Sequence, residues 1–255
     1  MAKLFCVSDI HGFYDELIAA LDEVGFDKNN PEHCLISCGD HFDRGLRPVE
    51  VMRFLRSLPR KVIIKGNHEQ LLKDCCDQGY PESYDYSNGT VNTIVAFSSQ
   101  EDEYFADAAS RTWRRVKPFV DEMVNYFETE KYIFVHSWIP LTCKDNLPKY
   151  YTRNRVFEFN PNWRDANQEE WDAAMWGNPF DMAEKGFNQT GKTIVFGHWN
   201  CSVGWAKDEN RSEFGADAKF DPYYGDGFIS IDGCVAHTKK CNVLVLEDNF
   251  TIQND

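Results

Sequence analysis

The chain has 255 residues, 42% of them hydrophobic and 27% charged, which is an ordinary globular composition and enough for a full hydrophobic core. Its 41 acidic and 27 basic residues give a net charge of −14, which argues against long nucleic acid as a partner because such partners usually meet basic surfaces. No apolar run approaches the roughly 20 residues of a membrane span. Nine unevenly spaced cysteines without a leader sequence predict a reducing, cytoplasmic compartment.

Three strand–loop–helix units follow one another in the first part of the chain. The apolar runs 3–8, 34–38 and 61–65 predict buried strands. A helical stripe after the first run ends near Gly25, and a second helix is predicted to begin at Pro48. Successive units of this kind predict parallel strands joined by right-handed crossovers. Because the carboxyl ends of parallel strands form one edge of a sheet, we expect the residues that follow each strand to lie together.

Four more strands are predicted later in the chain. The runs 132–135 and 193–196 are short, apolar and rich in β-branched and aromatic residues. The runs 228–231 and 243–246 have the same character, and we expect them to form a closing antiparallel pair.

The remaining stretches are predicted to complete one α/β domain over residues 1–255. The loosely patterned stretch 71–131 indicates a helical insertion that walls the site. The stretch 139–189 is rich in aromatic residues and lacks a clear period. It is interpreted either as a lid or as an irregular covering layer.

Polar residues follow the predicted strands. Taken singly, Asp-x-His or Gly-Asn-His is ordinary loop chemistry. Two carboxylates and an arginine between two glycines, in contrast, have little use in packing. Because all of these sequences occur in order at strand ends, they predict a site rather than a series of capped loops. They are Asp9-Ile10-His11-Gly12, Gly39-Asp40-His41-Phe42-Asp43-Arg44-Gly45, Gly66-Asn67-His68-Glu69, and the later histidines His136 and His198.

The side chains at these strand ends form a mixed oxygen and nitrogen donor set. Such a set suits Mn²⁺, Fe or Zn²⁺ better than Ca²⁺ or a thiolate site. Asp40 is expected to bridge two divalent ions, with Asp9 and His11 on one ion and the other ligands on the second. Two ions can clamp a phosphoryl group and lower the pKa of a bridging water toward neutrality. The predicted metal ligands are Asp9, His11, Asp40, Asn67, His136 and His198.

Further residues of these motifs are expected to act on a phosphorylated substrate. Arg44 offers a bidentate fork for phosphate oxygens, with Asn67 and His68 as additional substrate contacts. His68 is the candidate proton donor to the leaving oxygen. Asp43 is expected to fix the tautomer of His68 and raise its basicity. The predicted catalytic residues are therefore His68, Asp43 and Arg44.

The three motifs ending in Gly12, Gly45 and Glu69 resemble the signature motifs of calcineurin-like metallophosphoesterases. They are most similar to the phosphoprotein-phosphatase branch, which includes serine/threonine phosphatases and bacterial and phage diadenosine tetraphosphatases. His136 and His198 stand where that family places its later metal-binding histidines. The resemblance implies a four-layer αββα sandwich with mixed sheets and a dinuclear metal centre, with Mn²⁺ as the first choice. It also implies direct attack by a water that bridges the two ions, without a phosphoenzyme.

Two departures from the family pattern concern the substrate. Many bacterial members follow a tryptophan with an arginine that grips the phosphate, whereas this chain has Asn178 two positions after Trp176. More distant members carry a second histidine where this chain has Asn200. The expected substrate is a phosphoprotein or a small phosphorylated molecule such as a nucleotide. A non-catalytic module of the same fold that binds phosphate or metal is the alternative function.

Overall fold

Strands and helices alternate between residues 2 and 78, as the apolar periodicity predicts, and three more helices follow. The computed structural model of this protein describes residues 2–98, 104–144 and 156–249. The elements of the first half are β1 (Ala2–Val7), α1 (Tyr14–Glu23), β2 (His33–Cys38), α2 (Pro48–Ser57), β3 (Lys61–Ile64), α3 (Asn67–Gln78), α4 (Ser83–Asn88), α5 (Thr90–Ser98) and α6 (Phe105–Val120). Pro48 stands in the first turn of α2, where a missing N–H leaves no bond unmade.

The second half consists of shorter elements. These are β4 (Tyr126–Glu128), β5 (Tyr132–Val135), β6 (Thr142–Cys143), β7 (Phe157–Glu158), a 3-10 helix (Trp163–Asp165), α7 (Gln168–Ala174), α8 (Pro179–Glu184), β8 (Thr193–Phe196), α9 (Ser202–Glu209), β9 (Tyr223–Gly225), β10 (Phe228–Ser230), α10 (Val235–Thr238) and β11 (Leu244–Asp248). The strands predicted at 132–135 and 193–196 are confirmed residue for residue as β5 and β8.

Two mixed sheets organise the fold. The first has the strand order β11-β1-β2-β3, in which β1, β2 and β3 are parallel and β11 is antiparallel to β1. The second has the order β4-β5-β8-β10-β9, in which β5, β8 and β10 are parallel and the outer strands are antiparallel. A short separate pair joins β6 to β7. The predicted parallel arrangement of the first three strands is therefore confirmed.

The predicted closing pair is wrong. The run 228–231 supplies β10, which lies between β8 and β9 in the second sheet. The run 243–246 supplies most of β11, which pairs with β1 in the first sheet. Both runs form strands, but in different sheets. An apolar run does not specify its partner, because every open sheet edge offers the same row of backbone donors and acceptors.

Alternating side chains place each sheet between two apolar layers. On β2, Cys34 and Ile36 pack between the sheets together with Phe134 of β5. Leu35 points the other way, into a cluster with the helices of the first half. Ile133 of β5 packs in a third cluster, with α7, α8 and α9. The order is thus helices, sheet, sheet, helices, and the predicted four-layer αββα sandwich is confirmed.

The predicted insertion, 71–131, contains most of α3 together with α4, α5, α6 and β4. Its residues 99–103 lie outside the described residues. Phe97, Val116 and Phe119 are buried in the cluster on the outer face of the first sheet. The insertion therefore belongs to the helical layer of that sheet.

The described part of the stretch 139–189 covers the second sheet. Trp163, Trp171 and Phe180 are buried there. These residues form a packed covering layer, while residues 145–155 of the predicted lid lie outside the described residues. Closure of this stretch over the site stays a prediction, as does the assignment of residues 1–255 to one domain.

All nine cysteines are free thiols. Within residues 2–98, 104–144 and 156–249, no helix has the length and apolar character needed to cross a membrane.

Candidate metal centre

The loops that follow β1 and β2 are tied together by backbone hydrogen bonds. The N–H of Asp9 donates to the carbonyl of Gly39 at 3.1 Å, and that of His11 donates to the carbonyl of Asp40 at 2.9 Å. The N–H of Gly45 donates back to the carbonyl of His11 at 2.7 Å. The first two motifs therefore form one rigid rim at the carboxyl edge of the first sheet, where the strand order predicts them to meet.

Backbone strain concentrates at the same place. Among the residues that the structure describes, nine non-glycine residues have positive φ, and six of them are predicted site residues. Each such conformation costs about 1–3 kcal/mol and persists only where its surroundings impose it. This clustering indicates a functional site, in which the positions of the side chains are maintained at a cost in folding stability. The six are Asp9 (φ 51°), His11 (φ 48°), Asp40 (φ 58°), Asp43 (φ 69°), Arg44 (φ 59°) and His198 (φ 65°).

A first group of ligand atoms surrounds the ring of His11. Ligand atoms of His11, Asp40 and His68 all lie within 4.8 Å of one another. Nδ1 of His11 donates to the carbonyl of Phe42 at 2.9 Å, which leaves the lone pair on Nε2. That buried Nε2 has no hydrogen-bond partner within the described part of the chain. It lies 3.7 Å from Oδ2 of Asp40 and 3.9 Å from Oδ1 of Asp9, so a cation would satisfy all three atoms.

A second group lies on the other side of Asp40. Ligand atoms of Asp40, His136 and His198 lie within 4.8 Å of one another. Nδ1 of His136 donates to the carbonyl of Cys38 at 2.8 Å. Its Nε2 lies 2.8 Å from Oδ1 of Asn67 and 3.4 Å from Oδ1 of Asp40. Burial, and to a smaller extent electrostatic repulsion from the neighbouring His136, lowers the pKa of His198 to about 3. This ring is therefore neutral near pH 7 and able to coordinate a metal ion.

The two central carboxylates differ in their electrostatics. Burial alone would raise the pKa of Asp40, but the imidazoles of His136 and His68 outweigh it and hold the pKa well below its usual range. Burial raises the pKa of Asp9, although the backbone N–H of His198 donates to its Oδ2 at 2.8 Å. A cation between these carboxylates would favour the ionised form of both.

The predicted acid–base pair shares His68 with the first group. Nδ1 of His68 donates to Oδ2 of Asp43 at 2.8 Å. Burial lowers the pKa of His68, but the carboxylates of Asp40 and Asp43 more than offset this effect and the pKa is raised. Nε2 of the same ring lies 3.9 Å from Oδ2 of Asp40 and 3.4 Å from Nη2 of the exposed Arg44. The imidazole thus faces the ligand group and the guanidinium together.

Sequence reasoning missed two threonines that complete this pair. Thr90 Oγ1 donates to Oδ2 of Asp43 at 2.8 Å, and Thr93 Oγ1 donates to Oδ1 at 2.9 Å. They stand 47 and 50 positions beyond Asp43, so no local motif links them to it. The one available signal is their spacing, since residues three apart share a helix face.

The role of Glu69 was also missed, although this residue ends the third motif. Its fully buried carboxylate accepts from the N–H groups of Asp40 at 3.2 Å and Gly66 at 2.8 Å through Oε2. Oε1 accepts from the N–H of His41 at 2.9 Å and lies 3.1 Å from its Nδ1. Burial would raise the pKa of Glu69, but the His41 imidazole outweighs it and the pKa is lowered. One ionised carboxylate therefore ties the second motif to the third.

Asn178, where the family resemblance leads us to expect an arginine, lies directly before α8. Its Oδ1 accepts from the N–H groups of Phe180 at 3.1 Å and Asp181 at 3.3 Å, so it caps α8. Ser137 Oγ donates to the carbonyl of Gly177 at 2.8 Å and fastens this turn beside the second ligand group.

The sequence profile of calcineurin-like phosphoesterases matches residues 2–211. The chain belongs to this family. Among curated family relatives, the asymmetrical bis(5'-nucleosyl)-tetraphosphatase of Bacillus velezensis is 41% identical over 71 residues, covering 24% of this chain and 28% of that protein. The serine/threonine-protein phosphatase 2 of Salmonella typhimurium is 29% identical over 139 residues, covering 54% of this chain and 59% of that protein. The chain therefore matches only part of the length of these calcineurin-like relatives.

Solved structures agree with the fold of the family. A cold-active protein-tyrosine phosphatase of a psychrophilic Shewanella species superposes with a TM-score of 0.53 at 15% identity, covering 97% of this chain and 76% of that one. A protein serine/threonine phosphatase from Saccharomyces cerevisiae superposes with a TM-score of 0.50 at 11% identity, covering 99% of this chain and 82% of that one. At these identities the likeness concerns the fold alone.

Replacing Glu69 by glutamine is expected to lower the free energy of unfolding by about 2–4 kcal/mol, because an amide group would face backbone N–H donors that need an acceptor. Urea unfolding of the purified variant measures this change. The matched control is Glu122→Gln, since Glu122 is exposed and close in sequence to β4. Equal unfolding free energies for the two variants would contradict the clamping role of Glu69.

Proposed function

We propose that this protein hydrolyses phosphoric esters or anhydrides with two divalent metal ions, Mn²⁺ in preference to Fe or Zn²⁺. The observation that carries the proposal is a buried carboxylate, Asp40, common to two ligand groups and adjacent to the hydrogen-bonded pair of His68 and Asp43. Family membership supports the reaction class, as do relatives named for protein phosphatase and nucleosyl-tetraphosphatase activity.

The donor set fits divalent ions of this kind. Asp9 and His11 would hold one ion, and Asn67, His136 and His198 the other, with the shared carboxylate between them. The orphaned Nε2 of His11 supports this assignment, because an ion would satisfy a buried atom that lacks a hydrogen-bond partner among the described residues. When bound, two such ions supply charge neutralisation at the phosphoryl group and a water of lowered pKa.

Arg44 binds and orients the phosphoryl group. Its guanidinium is exposed, always charged, and able to donate to two phosphate oxygens at once. Because its Nη2 lies 3.4 Å from Nε2 of His68, a phosphate held by Arg44 comes close to the imidazole. Asn67, which precedes His68 at the start of α3, is assigned as a further substrate contact.

His68 delivers a proton from Nε2 to the leaving oxygen. Asp43 accepts from Nδ1 at 2.8 Å, which fixes the ring and leaves Nε2 turned toward the site. The leaving group then departs as a neutral alcohol or, from an anhydride, as a protonated phosphate. A module that only binds phosphate or metal would need the ligands and Arg44 but not this donor, so the intact pair favours catalysis over the alternative function.

The proposed activity is tested with three substrates in the presence of Mn²⁺: a phosphothreonine peptide, a dinucleoside tetraphosphate and phenyl phosphate. Turnover of the peptide above the others would make this a protein phosphatase, and turnover of the tetraphosphate a nucleotide hydrolase. A purified chain that binds metal and turns over none of the three would be a binding module.

Changing His68 to asparagine is expected to lower kcat by about 10²–10⁴-fold on substrates with poor leaving groups, because the proton donor is removed. Metal content should stay that of the parent, which elemental analysis checks. The control is His237→Asn, which changes an exposed histidine outside the ligand groups. Hydrolysis by the His68 variant at the parental rate would show that another group is the acid.

In the Asp40→Asn variant we expect neither ion to survive gel filtration, because the charged group common to both sites becomes a neutral amide. Elemental analysis of the eluted protein counts the ions per chain. Asp107→Asn, a change of the same chemistry at an exposed position of α6, should retain the parental content. Two ions per chain in the Asp40 variant would rule out the bridging role.

A further inference from the structure

The insertion reaches the acid–base pair directly. Asp43 is fully buried, and its Oδ2 accepts from both His68 Nδ1 and Thr90 Oγ1, each at 2.8 Å. Its Oδ1 accepts from Thr93 Oγ1 at 2.9 Å. Both threonines belong to α5 and are themselves fully buried. Among the described residues, two of the three side chains that donate to this carboxylate therefore come from one helix of the insertion.

Thr93 holds the backbone of Asp43 as well as its side chain. The N–H of Asp43 donates to Thr93 Oγ1 at 2.9 Å, while the same hydroxyl donates to the Asp43 carboxylate. A hydroxyl has one proton and two lone pairs, so both bonds form at once. They brace Asp43 in its strained conformation, with φ at 69°.

The turn between α4 and α5 packs against the neighbouring arginine. The N–H of Arg44 donates to the carbonyl of Asn88 at 3.1 Å. Gly89 has a φ of 84°, and a Cβ there would lie 2.3 Å from the nitrogen of Arg44. Only glycine fits this approach. One short segment, residues 88–93, thus holds both the carboxylate of the acid–base pair and the phosphate-binding arginine.

We propose that Thr90 and Thr93 are positioning residues that aim His68 at the leaving oxygen. The inference rests on the proposed function, since it concerns the proton donor of that reaction. Because Oδ2 is shared between Thr90 and His68, the threonine sets the direction from which this oxygen meets the imidazole. Thr93 prevents the carboxylate from rotating, because it holds the opposite oxygen. Without these donors a buried carboxylate is left under-satisfied and turns toward other partners, and the imidazole follows it.

Comparing substrates whose leaving groups differ in basicity distinguishes a misplaced His68 from a fold that is loosened as a whole. The contribution of a proton donor grows with the basicity of the leaving oxygen. Para-nitrophenolate is weakly basic and departs with little assistance, whereas phenolate needs more. Misplacement of His68 should therefore slow the hydrolysis of phenyl phosphate far more than that of para-nitrophenyl phosphate, while a loosened fold would slow both equally.

The test compares Thr90→Val and Thr93→Val with Thr90→Ser and Thr93→Ser, using the full chain with Mn²⁺. Valine keeps the shape and removes the hydroxyl, whereas serine keeps the hydroxyl. For each valine variant we expect kcat on phenyl phosphate to fall by about 10–100-fold and kcat on para-nitrophenyl phosphate by less than about 3-fold. KM should change little, and each serine variant should recover most of the lost rate.

The matched control is Thr112→Val in α6. Thr112 is a fully buried threonine of the same insertion, but its hydroxyl donates to the carbonyl of Ile94 at 3.0 Å. Its replacement should leave the ratio of the two rates unchanged. Thr93→Val removes two hydrogen bonds, so if it fails to fold, Thr90→Val, which removes one, decides the question.

The two proposals fail in different ways. An active parent whose Thr90→Val variant loses both rates by the same factor, or is not rescued by serine, overturns the positioning role and leaves the proposed function intact. A parent that turns over neither aryl ester, nor the phosphothreonine peptide, nor the dinucleoside tetraphosphate overturns the proposed function, and the positioning role with it.

Discussion

The carboxylate of Asp40 is the group on which the rest of the site depends. It is buried among imidazoles from both sheets: His68 follows β3 of the first sheet, while His136 and His198 follow β5 and β8 of the second. A lone buried carboxylate is strongly unfavourable, and only the surrounding donors and positive charge make this one tolerable. The packing of sheet on sheet is therefore a condition for the site, because neither sheet alone brings enough partners to Asp40.

The electrostatic field of the whole protein acts on any ion or substrate that approaches the ligand groups. A net charge of −14 attracts divalent cations and opposes phosphorylated substrates. Near the ligand groups this field must be reversed, which bound cations and Arg44 would do together. Asn178 caps α8 and carries no positive charge, so under the proposed function the binding of a phosphorylated substrate would depend mainly on Arg44.

The parts of the site that could be predicted are those in which the polar side chains directly follow a strand in the sequence. Apolar runs located β5 and β8 to the residue, and the motifs that follow β1, β2 and β3 were predicted to meet at one edge of a sheet. His136 and His198 follow strands of the second sheet. The partners of β10 and β11 could not be predicted, because strand pairing depends on which edges remain open after folding. Thr90 and Thr93 contact Asp43 only after α5 has packed against the loop of Asp43. Glu69 binds mainly backbone N–H groups, and every residue type except proline has such a group, so the sequence does not reveal these partners.

Gly89 limits how this protein can diverge. The exposed faces of α4 and α5 can accumulate substitutions without touching the site. At Gly89 itself any side chain would collide with the backbone of Arg44, 2.3 Å away, and would have to do so in a left-handed conformation. Substitution across the insertion is therefore constrained at Gly89 and at the two threonines that hold Asp43, while exposed positions of the insertion could change without altering these contacts.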